Sequence, residues 1–344
     1  MRILVAYKTG SIQNMFVKEL SDGLAREGAD IVWNLEHFWS LNGDYDIVHI
    51  HWPEFLFYGN EHVNLDRLHG TLSKWKKKAK IVITRHNRYP HSGAQHNHQL
   101  YRLVYSFVDG VVHLGKYSET DFRQSDYFKK SSANRVIAHH VYNADLQLNG
   151  CKNKMASEDP YVLVFGMVRN EAERSLLMVA NSFLFRKGIK MIAPGWSRFE
   201  DSRKKHPLKW MKYELNFLVE KIRSDIVIGN KYVSNDQAAH LYSNSLLVLV
   251  PRMEALNSGI VTQAFAHSKV VVGTEKGNIG ELLRETGNPV FDPQQPESLE
   301  NALERGMTLA KQGHGSKNFE YAQDKLTVKK IAPQYLDFFH SLLD

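Results

Sequence analysis

The chain has a single cysteine, Cys151, in 344 residues. One thiol cannot build an intramolecular disulfide framework, so packing must hold the fold, and the composition suits a reducing compartment. Long apolar runs are missing as well. No stretch approaches the roughly 20 residues a membrane-spanning helix needs. The opening MRILVAYKTG reads as a short strand, with an apolar part too short for a signal-peptide core. The expected location is cytoplasmic, or peripheral at the inner face of a membrane. Helix-turn-helix, zinc-finger and RNP-like patterns are lacking, so nucleic acid is the weaker choice of partner. No carboxylate cluster, DxD triplet or Cys/His pair has convincing metal spacing. His49 and His51, two apart on a strand, share a face as a candidate ligand pair, but no metal is expected.

What is present is a basic balance: 44 Lys and Arg against 37 Asp and Glu, for a formal charge of +7. The excess is concentrated. Lys74-Trp75-Lys76-Lys77-Lys78 is one cluster. Arg198, Arg203, Lys204, Lys205, Lys209 and Lys212, interleaved with Trp196, Phe199, Trp210 and Tyr213, form another. Such clusters suit an anionic lipid surface, and the alternative is a solvated helix face. Apolar residues make up 43% of the chain, enough for two cores at this length.

Strand-like and helical runs alternate. RILVAY, ADIVW, DIVHIHW, KIVITRH, DGVVHL and RVIAHHV read as strands, with helical spacing over Met15–Arg26, Leu65–Lys78 and Gln99–Phe107. Asn143 to Pro160 is polar and turn-rich, as a linker would be. The alternation then restarts with YVLVFG, a helix over Ala172–Phe185, IKMIAP, a charged insert, DIVIGN, a helix over Asp236–Tyr242 and LLVLVP. The tail from Ser298 to Leu343 reads as mostly helical and polar. The expected fold is α/β: two Rossmann-like, doubly wound parallel-sheet domains facing a cleft. Residues 1–150 form the first domain and 151–325 the second, with 326–344 a helix that packs back on the first.

The most informative stretch is PRMEALNSGIVTQAFAHSKVVVGTEKGNIGELL, from Pro251 to Leu283. A strand, the Asn257-Ser258-Gly259 turn, a helix and a second strand make a βαβ unit. Its turn lies where doubly wound folds bind phosphorylated ligands. A departing nucleoside diphosphate gains negative charge. Backbone N–H groups at a helix N-terminus offer it oriented donors, and the planar fork of Arg169 suits phosphate better than an ammonium does.

In order along the chain, these segments resemble the GT-B glycosyltransferases, in particular family 4 and bacterial polysaccharide glycosyltransferases. The segments are VAYKTGS with Gly10 and Ser11, HIHWPE with Glu54, ITRHN with Thr84, His86 and Asn87, IAHHVYN, FGMVRNEAER with Arg169 and Arg174, and the late unit with Glu254. The resemblance implies an acceptor-side first domain and a nucleotide-sugar donor domain after it, with His86 near the reacting sugar. It places Gly10 and Ser11 in the loop beneath the donor phosphates or acceptor. Tyr232 and Val233 fall where the base is held. Two positions depart from the pattern. Ala172 stands where a lysine is usual, with Arg174 nearby as a substitute. Gln263 stands where a second glutamate holds the ribose, one residue further from Glu254 than usual.

Glu54, His86 and His91 are the candidate general bases if configuration inverts; with retention, which the resemblance favours, the departing phosphate takes the proton. Glu281 is expected to cap the helix after it. Phe55-Leu56-Phe57-Tyr58 reads either as an apolar acceptor loop, suited to a lipid-linked acceptor, or as core. The expected activity is metal-independent transfer from a UDP- or GDP-sugar to a glycan or lipid-linked glycan in bacterial surface polysaccharide synthesis, with no other cofactor. A sugar-nucleotide epimerase of the same fold and a degenerate, partner-binding glycosyltransferase are the alternatives.

Overall fold

The computed structural model describes residues 1–8, 14–57, 63–88, 95–142, 160–196, 226–230, 233–253 and 256–344, with positions 211, 215, 218 and 219 between. Two compact units divide it. One comprises Met1–Asn143, Ala255–Asn257 and Asp324–Asp344; the other comprises Ala144–Glu254 and Ser258–Gln323.

In the first unit β1 (Arg2–Val5), α1 (Met15–Arg26), β2 (Asp30–Trp33), α2 (Leu35–Ser40), β3 (Ile47–Ile50), α3 (Leu65–Trp75), β4 (Lys80–Arg85), α4 (Gln95–Phe107), β5 (Gly110–His113), α5 (Lys116–Arg123) and β6 (Ala133–Val136) follow one another. The strands lie in the order β2-β1-β3-β4-β5-β6, every pair parallel. Asparagines start the helices. Asn14, Asn34 and Asn64 accept from Phe16, His37 and Arg67 N–H, satisfying donors the first turn leaves open.

The second unit runs β7 (Tyr161–Leu163), α6 (Glu171–Arg186), β8 (Lys190–Ala193), β9 (Val227–Ile228), α7 (Asn235–Asn244), β10 (Leu247–Val250), α8 (Gly259–Ala266), β11 (Val271–Thr274), α9 (Gly277–Glu285), β12 (Val290–Phe291), α10 (Pro296–Lys311) and α11 (His314–Lys325). Its sheet is also wholly parallel, in the order β12-β11-β10-β7-β8-β9. The last helix, α12 (Val328–Leu343), returns to the first unit and packs on α1.

Side chains alternate across the first sheet. Leu4, Val48, Ile50, Ile81 and Ile83 join Leu68, Trp75, Leu100 and Val104 on one face. Ile3, Val5, Ile47 and Val82 join Val17, Leu20, Ile331 and Tyr335 on the other. In the second unit Val162, Met191, Leu247 and Val272 pack against Leu177, Leu184 and Leu303. Both sheets reverse their strand order once, between β1 and β3 and between β7 and β10. Those reversals are where doubly wound sheets open a ligand crevice.

Three expectations change. The RVIAHHV strand stops at Val136, because the chain then leaves the sheet edge and Val141 N–H bonds Leu326 O. The helix expected to Lys78 ends at Trp75. Its last residues wind into a turn, with Lys77, Lys78 and Ala79 N–H donating to Lys74 and Trp75 carbonyls. The tail is not polar throughout, since α12 buries Val328, Ile331, Ala332, Tyr335, Phe338 and Phe339.

Two glycines test the packing. A Cβ on Gly23 of α1 would run into Val328 of α12, whereas one on Gly70 of α3 meets nothing within 4 Å. Gly23→Ala should cost about 1–3 kcal/mol by overpacking. Gly70→Ala should gain about 0.5–1 kcal/mol by lowering backbone entropy in the unfolded chain. Urea unfolding of the two variants should therefore move in opposite directions; equal shifts would contradict the packing of α12 on α1.

Candidate functional site

At the β1–β3 reversal the first unit gathers imidazoles around one phenyl ring. The Phe16 ring, in the first turn of α1, lies 4.8 Å from those of His86 and His139, 4.5 Å from His140 and 5.9 Å from His51. His51 Nδ1 and His86 Nε2 are 3.0 Å apart. Two neutral imidazoles share one proton across such a contact, so one ring donates and the other accepts. Trp52 stacks on His86 with centroids 3.9 Å apart. Asn257 Nδ2 donates to the His86 carbonyl at 2.8 Å, and both residues belong to the first unit. His86 therefore sits at the end of β4 with its ring fixed from several sides and only 8% exposed.

Around it the polar groups are buried. His49 Nε2 meets Thr84 Oγ1 at 2.9 Å, and Thr84 Oγ1 lies 3.4 Å from the Tyr335 hydroxyl of α12. His140 places both ring nitrogens against carbonyls, Val141 O at 3.0 Å and Phe16 O at 3.1 Å. Those bonds favour the charged ring, but burial outweighs them and its pKa lies below the ordinary value. Burial lowers His49 and His139 to about 3, and His51 falls well below 6.5 through burial and its imidazole neighbours. His49 thus meets Thr84 through Nε2 and His51 meets His86 through Nδ1, while His49 Nδ1 is buried with no hydrogen-bond partner among the described residues. Among the described residues no group of three or more His, Cys, Asp or Glu could hold a metal.

Glu54 lies in a short 3-10 turn, Pro53–Phe57, where its Oε2 accepts from the Tyr101 hydroxyl at 2.8 Å and its Oε1 is buried with no hydrogen-bond partner among the described residues. Burial, then the Glu54 charge, raises the Tyr101 pKa, which keeps that hydroxyl a donor. Leu56 and Phe57 are in the core, so this stretch is core and not an acceptor loop at those two positions. Trp75 is wholly buried too, which removes the aromatic from the lysine cluster and leaves Lys74, Lys77 and Lys78 exposed around it. Gly10, Ser11, Tyr58 and His91 lie outside the described residues.

In the second unit the β7–β10 reversal brings together the Gly166 turn, the start of α6, the end of β10 and the start of α8. Gly166 has φ +82°, and a Cβ there would stand 2.9 Å from Ile260 Cδ1 and 3.3 Å from Arg252 Nη2. Only glycine allows both that backbone and that approach. Arg169 is exposed, and its guanidinium has no hydrogen bond or ion pair among the described residues. Ser258 is the N-cap of α8, but its hydroxyl makes no capping bond. Gly259 begins the helix. Gln263, half-buried on α8, accepts from the Tyr242 hydroxyl at 3.4 Å. Arg174 lies over Trp196, 5.5 Å from the ring centroid, and faces Glu171 at 3.9 Å. Val233 is half-buried just before Ser234, which caps α7 in a capping box with Gln237. Glu281 lies inside α9, whose N-cap is Lys276, so it is not a cap. Glu254, Tyr232 and the second basic cluster from Arg198 to Tyr213 lie outside the described residues, apart from Met211.

The sequence reading missed Arg252. It is 3% exposed at the end of β10, with Nη1 donating to Glu173 Oε2 at 2.6 Å and to Met167 O at 3.0 Å. Burial, then Arg169, lowers its pKa to about 10. An arginine directly after SLLVLVP, where a strand must leave the core, was the available signal.

Two all-parallel, doubly wound sheets, each with one reversal of strand order, define the class: the fold is that of the GT-B glycosyltransferases. The chain is similar over 99% of its length to sucrose-phosphate synthase from Thermosynechococcus elongatus, at TM-score 0.67 and 14% identity, covering 98% of that chain. It matches HepE from Anabaena in complex with UDP-glucose at TM-score 0.68 and 15% identity, over 99% of this chain and 100% of that one. It also matches the UDP-forming α,α-trehalose-phosphate synthase from Burkholderia xenovorans in complex with glucose-6-phosphate, at TM-score 0.65 and 10% identity, over 99% and 100%. At these identities the likeness is one of fold. No protein-family model matches the chain, and no curated protein does. Among the described residues no helix is long and apolar enough to cross a membrane.

The buried imidazoles set a pH dependence. His49 and His139 titrate near 3 and His113 near 4 in the folded chain, all lowered by burial from 6.5. The unfolded chain takes up these protons first. Stability is therefore full above pH 6.5 and is lost as pH falls towards the folded values, at about 1.4 kcal/mol per pH unit per ring. Three rings give roughly 4 kcal/mol per unit between about pH 6 and 4.5. Urea midpoints should fall steeply from pH 7 to pH 5; midpoints that stay level would contradict neutral, buried rings.

Proposed function

We propose that this chain is a glycosyltransferase that moves a sugar from a UDP- or GDP-sugar to a glycan or lipid-linked glycan acceptor. The reading extends to transfer without a metal, with retention of configuration, in bacterial surface polysaccharide synthesis. One observation carries it. At the β7–β10 reversal the Gly166 turn meets Ile260 in the first turn of α8, whose N-terminus the Ser258 hydroxyl leaves uncapped, and the exposed Arg169 lies three residues further along the same loop. That is a cation, a close backbone approach and oriented N–H donors in one place, the set a diphosphate needs. The similar folds include HepE with UDP-glucose and a UDP-forming synthase with glucose-6-phosphate, which supports a UDP-sugar donor and a sugar acceptor.

In the proposed reaction the bond between the anomeric carbon and the β-phosphate oxygen breaks, and the acceptor hydroxyl oxygen takes its place on the same face. The hydroxyl proton passes to the departing phosphate oxygen, while Arg169 and α8 hold the charge that develops there. Glu54, tied to Tyr101, need not remove a proton in such a reaction. His86, with its ring fixed by His51 and Trp52, would face the sugar. Lys74, Lys77 and Lys78 are the proposed contact with an anionic membrane surface. The second reading, a donor-binding chain without turnover, is favoured by Ala172 and by Gln263, whose carbonyl oxygen is already engaged by Tyr242.

A panel of UDP- and GDP-sugars tests the reading. Calorimetry should find one that binds, with slow hydrolysis or transfer, and Arg169→Ala should weaken it about 10- to 100-fold, as expected for a lost charge-assisted bidentate contact. Binding without hydrolysis or transfer to any acceptor would favour the second reading. Conversion of the donor alone would favour an epimerase. A chain that binds none of the panel would sink the proposal.

A further inference from the structure

We infer that Glu173 and Arg252 form a brace that holds the Gly166–Asn170 loop in the one conformation that presents Arg169 to a phosphate. The inference deepens the proposed donor site and rests on that reading. It begins with a costly feature. Both side chains of the pair are 3% exposed, in a place where two well-packed apolar residues would often serve stability as well. What the ion pair offers and apolar residues cannot is a set of directed bonds, and two of them end on this loop.

Glu173 Oε2 accepts from the backbone N–H of Arg169 at 2.9 Å and from Arg252 Nη1 at 2.6 Å. Arg252 Nη1 also donates to the Met167 carbonyl at 3.0 Å. The guanidinium lies directly beneath Gly166, close enough that any Cβ there would press on Nη2. The loop is thus held on two successive stretches, at Met167 from β10 and at Arg169 from α6. Glu173 is itself fixed, because its own N–H donates to the Asn170 side chain that caps α6. The charges fit the same role. Burial first, and then the Arg169 charge, lower the Arg252 pKa, and Glu173 acts in the opposite direction. Arg252 is buried, with Nη1 bonded to both Glu173 and Met167 and Nε left without a hydrogen-bond partner among the described residues, so it positions; Arg169 is exposed and unpaired among the described residues, so it is the group offered to ligand.

The sign of one substitution separates this from simple electrostatics. Glu173→Gln removes a negative charge near the place where a diphosphate would sit. Through charge alone it would tighten binding of UDP and UDP-glucose. If Glu173 is a brace, the amide loses its strong acceptor for two donors and binding weakens, by about tenfold or more for one lost charge-assisted bond. Arg252→Lys keeps the charge but not the fork, and should weaken binding in the same direction.

The experiment is calorimetric titration of wild type, Glu173→Gln and Arg252→Lys with UDP and UDP-glucose. It is paired with hydrogen–deuterium exchange of the ligand-free proteins and with circular dichroism to confirm folding. The brace predicts faster exchange in the peptide carrying Arg169 in both variants, with exchange in β7 and β10 unchanged. Unchanged exchange at Arg169, or a Glu173→Gln protein that binds as tightly as wild type or more tightly, overturns it. If wild type binds neither ligand, the UDP form of the donor reading fails, and the brace is then judged on exchange alone.

Discussion

In each sheet every strand runs parallel to its neighbours, and the rest of the molecule depends on that constraint. Parallel pairing forces each connection to cross back over a face, so all the strand C-termini open at one edge. Where the order reverses, between β1 and β3 and between β7 and β10, two adjacent crossovers leave on opposite faces and the edge cannot be roofed by helices. The residues that matter chemically are those just past the strand ends. They are His51 and Trp52 after β3, His86 after β4, Gly166 and Arg169 after β7, and Arg252 after β10.

The two edges solve the burial of polar groups differently. The first uses neutral imidazoles. A ring with one donor and one acceptor can pass a hydrogen bond from Thr84 to His49, or between His51 and His86, with no net charge to desolvate. Phe16 and Trp52 fill the space between the rings. The second edge uses charge, with Arg252 and Glu173 desolvated together. Neutral rings suit a surface meant for hydroxyl-rich, uncharged groups. An edge with two guanidiniums and one carboxylate keeps one net positive charge, which suits an anion.

The alternation of apolar strand runs with helical spacing made the α/β class and the parallel sheets legible but not the short helices Leu35–Ser40 and Lys116–Arg123, and the asparagine caps explain why Met15, Leu35 and Leu65 begin helices. The strand at Arg135–Val141 misled because a short apolar run can be buried by something other than a sheet; here Val141 bonds Leu326 instead. The aromatics in PEFLF and KWKKK left two readings open, since a sequence does not say which side of a short turn faces inward. Arg169 and the Ser258–Gly259 turn were legible because local chemistry marks them. Arg252 was not, because its meaning lies in Glu173, 79 residues away in the chain.

The lysine cluster bears on how such a chain could meet a membrane. Lys74 lies in the last turn of α3, and Lys77 and Lys78 lie between α3 and β4, which puts them at the edge where the strands begin. His86 follows the end of β4. The six residues of β4 separate these two edges by about 20 Å at 3.3 Å per residue. A Debye length at physiological salt is about 8 Å, so a bilayer bound by the lysines would exert little field at the imidazole edge. The cluster can therefore add attraction to an anionic surface without changing the charge environment of His51 and His86. By the same geometry it cannot hand an acceptor head group to His86 directly. A lipid-linked acceptor would have to carry a glycan long enough to span that distance, or reach the imidazole edge from a different face of the unit.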